Sequence, residues 1–284
     1  MPESENTPAI VAAKKPIWKN IGPRAVSALL FGAICIPPIY FGGYIWAVLV
    51  LILGLRLVLE WVRMTDPNRD ILAMAIPMIG LTIAIGYVAG GYNLLSLITL
   101  IVTAIVAGLE RLRRGGVLWS GLGALYIAVP TVLMIAIRGD VAGFSDGFKV
   151  ILFVILVVIG ADVGAYLGGS AIKGPKIAPG LSPNKTWSGF VSGLILGSIV
   201  AIVTGRIMGM DAGFSILLAI PIIVFSVIGD FFESGVKRHF NVKDTGRLMP
   251  GHGGLLDRLD GLMLAVIASA AVLWAVPSLW PGVL

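Results

Sequence analysis

The chain has 284 residues, of which 57% are hydrophobic and 13% charged, and its mean hydropathy is +0.97. A soluble domain would carry about 25% charged residues, so this composition excludes one and reads as a polytopic membrane protein. The formal net charge of +6 falls in short loops and reads as membrane topology, with no nucleic acid as partner. The single cysteine, Cys35, lies in an apolar run, which excludes a disulfide framework and a cysteine-ligated zinc site.

Residues 1–23 are polar, contain Lys14, Lys15 and Lys19, and lack an apolar core; they read as a disordered cytosolic tail and not as a cleavable signal peptide. A membrane span needs about 20 largely apolar residues. Nine such runs follow, at roughly 24–41, 43–62, 71–90, 92–109, 117–137, 149–168, 187–205, 213–232 and 260–280. The expected fold is therefore all-α, with five spans in an N-terminal region (24–150) and four in a C-terminal region (151–284). Glycine pairs at Gly42-Gly43 and Gly90-Gly91 predict tight hairpins between the first two and the next two spans.

Lys and Arg placement sets the orientation. With the N-terminus inside, the inner side collects four in the tail, two after the second span, three after the fourth, three after the sixth and five in residues 228–261. That is seventeen against three outside, Arg138, Lys149 and Arg206. The expectation is an N-in, C-out protein of the cell's inner membrane. Arg56, within the second span, is four residues from Glu60, a spacing that lets the two pair on one face. A charge inside a span is a functional candidate by default, but so near a helix end a snorkelling ion pair is cheap, and the pair reads as structural. Gly164 and Gly168 in the sixth span, and Gly189, Gly193 and Gly197 in the seventh, have the four-residue spacing that lets helices approach closely. Packing is the reading; a homodimer through these faces is compatible with it but has no further support.

Two polar islands interrupt the apolar pattern. In residues 160–188, Asp162 stands inside an apolar run, where it must face a partner, water or a metal. Further on, Ser182-Pro183-Asn184-Lys185-Thr186 leads into the seventh span. Ser182 is a candidate cap for that helix; Lys185 and Thr186, with the free N–H groups there, make a candidate anion site. Interfacial lysines touching lipid headgroups are an equal reading at this point, and a P-loop is excluded because its upstream glycines and strand are missing.

The second island, Ile228–Gly261, lies between two apolar runs yet holds five carboxylates, five Lys/Arg residues and both histidines. Asp230 and Glu233, then Asp257 and Asp260, are each three apart where a run ends or begins, so each pair projects from one helical face. Lys237, Arg238, Lys243 and Arg247 lie between them, with Asp244, and a glycine cluster at Gly251, Gly253 and Gly254 flanks His252. Glycines there suit close backbone approach to a ligand. Carboxylates able to hold a hard cation, beside cations able to hold phosphates, are what phosphoryl-type transfer requires. Two histidines without cysteines do not make a zinc site; carboxylates suit Mg²⁺ better.

Ser234-Gly-Val-Lys237-Arg238, then Lys243-Asp244, then His252-Gly253-Gly254-Leu-Leu-Asp257-Arg258-Leu-Asp260 resembles the signature of the phosphatidate cytidylyltransferases, or CDP-diacylglycerol synthases. Met249 stands where that family usually has Leu, Ile or Phe. Ala161-Asp162-Val163-Gly164-Ala165-Tyr166 and Ser182-Pro183-Asn184-Lys185-Thr186 resemble two further family segments. Asn184 replaces a lysine or small residue, which leaves Lys185 to make the phosphate contact. These motifs cover the C-terminal half, while residues 1–150 match only in hydropathy and length.

The resemblance implies transfer of CMP from CTP to phosphatidate, giving CDP-diacylglycerol and pyrophosphate, in an all-helical fold with a polar cavity open to the cytoplasm and sideways to membrane lipid. It implies Mg²⁺ dependence with K⁺ assisting, Asp230 and Asp257 as metal ligands, and Asp260 in support. Lys237, Arg238, Lys243 and Lys185 would surround the phosphates, and His252 would donate to a phosphate or anchor the loop. The lipid phosphate is already an anion, so no protein nucleophile is required. Two rivals are a CTP-dependent transferase acting on another lipid phosphate and an ion-coupled transporter. A transporter would place carboxylates near the midplane within inverted repeats, a pattern the sequence lacks.

Overall fold

The computed structural model describes residues 32–140, 142–246 and 253–276. Among these the chain is all-helical: α1 (Gly32–Phe41), α2 (Gly43–Thr65), α3 (Ile71–Ala89), α4 (Asn93–Glu110), α5 (Val117–Arg138), α6 (Asp146–Ala171), α7 (Trp187–Ile207), α8 (Ala212–His239) and α9 (Leu256–Ala275). Helices α2 to α9 are each long and apolar enough to cross a membrane. The tail and the outer ends of the first and last expected spans lie outside the described residues.

The helix ends follow from local chemistry. Asp70 caps α3 by accepting from Leu72 N–H at 2.9 Å, Ser145 caps α6 and Asp211 caps α8, each supplying an acceptor for an N–H the helix cannot satisfy itself. The cap of α7 is Thr186, whose hydroxyl accepts from Gly189 N–H at 3.1 Å, and not Ser182 as the sequence suggested. Ser182 lies in a turn, its N–H bonded to the Ala178 carbonyl, so its hydroxyl is not at the helix start. Helix α6 begins at Asp146, three residues before the run read from hydropathy.

Lipid tails are as apolar as leucine, so helix association depends on close packing. Helices α6 and α7 show it. A Cβ placed on Gly189 or Gly193 would lie 2.9 Å from the backbone oxygens of Ala165 and Ala161, and one on Gly197 would meet Ile223 of α8 at 2.7 Å. Elsewhere Leu97, Ile98, Ile101 and Ile105 leave one face of α4 exposed and apolar, as a lipid-facing surface would be.

Each end of the bundle is locked by an arginine. At one end Arg138, 1% exposed, donates to the Ile39 and Tyr40 carbonyls and to Ser145 Oγ, closing the C-terminal turn of α1. At the other, Arg111 pairs with Asp66 and donates to the Thr65 carbonyl at 3.2 Å, while Arg114 reaches Asp70 at 3.2 Å and Glu110. Burial alone would raise the Asp66 carboxyl. The bond from Arg111, the N–H groups of Asn68 and Asp70 and the Arg111 charge outweigh it and hold the group below the ordinary carboxylate range.

Candidate active site

The second charged end continues into a site built by α6, α7, α8 and α9. Helix α8 does not stop where its apolar run ends near residue 232 but continues to His239. Glu233 and Lys237, four apart, pair across that added turn at 2.9 Å, so the charged sequence remains helical. Helix α9 likewise begins at Leu256, which places Asp257 on the helix.

Lys237 is the centre of the arrangement. It donates to Glu233, which is fully buried, and to Asp257 Oδ1 at 2.8 Å, tying α8 to α9. Asp257 Oδ2 accepts from the Thr245 N–H at 3.0 Å, the Thr245 hydroxyl at 3.1 Å and the Gly254 N–H at 2.8 Å. From the loop just before α7, Lys185 donates to Asp230 at 2.5 Å and lies 4.7 Å from the centre of the Phe231 ring. Asp162 on α6 lies within electrostatic reach of Asp230, Lys185 and Arg258. Asp260 faces Glu233 and Asp230, and its backbone carbonyl accepts from the Tyr126 hydroxyl at 3.5 Å.

The structure thus brings Asp162, Lys185, Asp230, Lys237, Asp257, Arg258 and Asp260 together, with Ser234 half-buried on α8. Thr186 is buried and its hydroxyl caps α7 and meets Ser188 Oγ at 3.0 Å, so it serves the helix first. Arg238, Lys243 and Asp244 are exposed. The Gly253-Gly254 pair does approach something closely, but it is the protein's own carboxylates. A Cβ on Gly253, whose φ is +83°, would lie 2.8 Å from Asp257 Oδ2, and one on Gly254 would lie 2.5 Å from Glu60 Oε2. His252 lies outside the described residues.

Sequence reasoning missed Thr245 as a site residue and took Glu60 for half of a snorkelling pair. Glu60 does pair with Arg56, at 3.1 Å. It is also 1% exposed and accepts from the Leu256 N–H at 2.8 Å and the Thr245 hydroxyl at 3.3 Å. Its only signal in sequence was a carboxylate inside a span.

Lys185 pairs with Asp230 and Lys237 with Glu233 and Asp257, Asp260 lies beside Glu233, and Asp162 and Arg258 are within electrostatic reach. Among the described residues no three acidic or histidine side chains stand close enough to hold a metal as they are now paired. The donor chemistry nonetheless fits a hard divalent cation. Every donor is an oxygen, and the carboxyl groups outnumber the basic side chains around them.

These features define a polytopic helical membrane protein with an acid–base cluster at one end of its bundle, chemistry suited to polyanionic substrates. The cytidylyltransferase family profile matches residues 23–276, and the chain belongs to that family. It is accordingly a nucleotidyltransferase. It is 31% identical over 269 residues to the phosphatidate cytidylyltransferase of Brucella abortus, covering 90% of this chain and 92% of that protein. Shorter matches reach 53% identity over 51 residues with that of Staphylococcus haemolyticus (18% of this chain, 20% of that protein). With that of Mycobacterium bovis, identity is 48% over 61 residues (22% of this chain, 20% of that protein).

Proposed function

We propose that this enzyme transfers CMP from CTP to phosphatidate, releasing pyrophosphate and forming CDP-diacylglycerol, at a site facing the cytoplasm from the inner membrane. The observation that carries the reading is the convergence of Lys185, Lys237 and Arg258 with five carboxylates where α6, α7, α8 and α9 meet. The inside excess of Lys and Arg supports the orientation.

A phosphatidate phosphate oxygen attacks the α-phosphorus of CTP in line; the new P–O bond forms as the bond to the bridging oxygen breaks and pyrophosphate leaves. Both reactants are polyanions, so their repulsion must be neutralised first. Lys185 and Lys237, with Arg238 and Lys243, supply positive charge and orientation at the phosphates. Asp230 and Asp257 are the residues that would hold Mg²⁺, with Asp260 in support and K⁺ assisting. Bound there, the cation would neutralise phosphate charge. The diacylglycerol tails remain in lipid while CTP arrives from water.

The experiment is pyrophosphate release by detergent-purified protein given CTP, phosphatidate and Mg²⁺, beside Asp257→Asn. Release should require all three and should fall at least about 100-fold in the variant, as expected when a group positioning reacting phosphates is lost. Release from another lipid phosphate but not phosphatidate would move the substrate assignment; full activity in the variant would remove Asp257 from the site.

A further inference from the structure

Helix α9 begins without a cap of its own. The residue before it, Leu255, offers no side-chain acceptor, although the first N–H groups of any helix need partners. The acceptor comes from a different helix: Glu60 Oε2, on α2, takes the Leu256 N–H at 2.8 Å. A carboxylate there also suits the positive end of the helix dipole. The same oxygen lies 3.3 Å from the Thr245 hydroxyl, which is 3.1 Å from Asp257 Oδ2. Thr245 has one hydroxyl proton, so Glu60 and Asp257 share it.

The loop is shaped around these two carboxylates. Cβ atoms on Gly246 and Gly254 would lie 2.8 Å and 2.5 Å from the Glu60 oxygens, so backbone passes both sides of the Glu60 carboxyl. Arg56 pairs with Glu60 Oε1 at 3.1 Å and balances the charge, while Oε2 is the oxygen that takes the Leu256 N–H and the Thr245 hydroxyl.

The geometry points to Glu60 as a positioning residue of the active site: reaching over from α2, it caps α9 and, through Thr245, sets where Asp257 stands. The site is then composite, with an essential support in the half of the chain outside the C-terminal motifs. The inference rests on the proposed role of Asp257, but its structural arm can be tested without substrate.

The test compares wild type, Glu60→Ala and Glu60→Gln in detergent, by amide hydrogen exchange and by steady-state cytidylyl transfer. Gln keeps an acceptor oxygen for Leu256 N–H; Ala does not. Glu60→Ala should raise exchange at residues 253–257 by at least about tenfold while most of α2 stays protected. It should lower kcat by about 100-fold with KM for CTP within about twofold. Glu60→Gln should recover most of both losses. Unchanged exchange and kcat in Glu60→Ala overturns the inference, as does equal loss in both variants with exchange rising throughout α2, the mark of a purely structural residue. If Glu60→Ala does not fold, Thr245→Val removes the shared hydroxyl without disturbing the buried charge. It should cost about tenfold in kcat at wild-type melting temperature, and an unchanged kcat there overturns the link. If wild type transfers nothing to phosphatidate, the proposed function fails, yet the exchange result still decides the positioning role.

Discussion

Lys237 has two carboxylate partners on different helices, and their burial decides what its loss does. Glu233 is fully buried and Asp257 nearly so, so Lys237→Ala leaves two acids without their counter-charge. Breaking a buried pair from one side costs about 3–5 kcal/mol, enough to lower the melting temperature of the purified protein well outside measurement error. Glu233→Gln removes one orphaned charge, so the double variant should regain much of the lost stability while remaining inactive, because the cation facing the substrate phosphates is still missing. Recovery of turnover with stability would make Lys237 a structural residue only. At this scale the sequence was informative about residue types and poor about partners. Lys237, Asp230 and Asp257 were legible as a charged group between apolar runs. Glu60 was not, because its partners Thr245 and Leu256 lie 185 and 196 residues away and nothing beside Glu60 announces them.

Among the elements, α6 and α7 pack backbone against backbone through their glycines, and this packing bears directly on the site. Gly193 faces the Ala161 carbonyl, and Asp162 is the next residue on α6. Gly193→Ala would place its Cβ against backbone, which cannot rotate away as a side chain can. The helices must separate by a few tenths of an ångström, at a cost of about 1–3 kcal/mol, and Asp162 shifts with them. Lower melting temperature and reduced turnover are both expected. Gly86→Ala on α3 is the control, since a Cβ there meets nothing within 4 Å and Ala favours a helix interior. Equal stability in the two variants would show that α6 and α7 tolerate a wider separation. The glycine spacing made this contact readable in advance, and hydropathy placed α2 to α7 to within three residues at either end. The ends of α8 and α9 were less legible, because hydropathy registers the charges of Glu233, Lys237 and Asp257 and not the pairing that keeps them helical and inside the protein.

Across the whole molecule, the helices meet the charged end through two layers of ion pairs that differ in purpose. The layer around Asp257 and Asp230 pairs acids with lysines that substrate and cation can claim. The layer at Asp66, Asp70, Glu110, Arg111 and Arg114 joins the ends of α2, α3 and α4 with no role in the chemistry proposed. Asp66 is nearly buried, and its Arg111 bond and neighbouring N–H groups hold its carboxyl below the usual range. A carboxyl depressed in the folded state binds its proton more weakly there than in the unfolded chain. Its stabilisation is therefore complete above the unfolded value, about 3.9, and fades as the pH falls through the lower folded value. Asp66→Asn should melt below wild type at pH 7, because Arg111 loses its counter-charge. The gap should narrow once the pH drops below about 4, because the unfolded chain's Asp66 takes up a proton first and the folded carboxyl follows at its lower value, losing the same interaction. Melting curves of the two proteins from pH 7 to pH 3 would read this directly. A gap constant across that range would mean that the contacts of Asp66 owe their strength to shape and neutral hydrogen bonding, and that this end of the bundle is not held by charge.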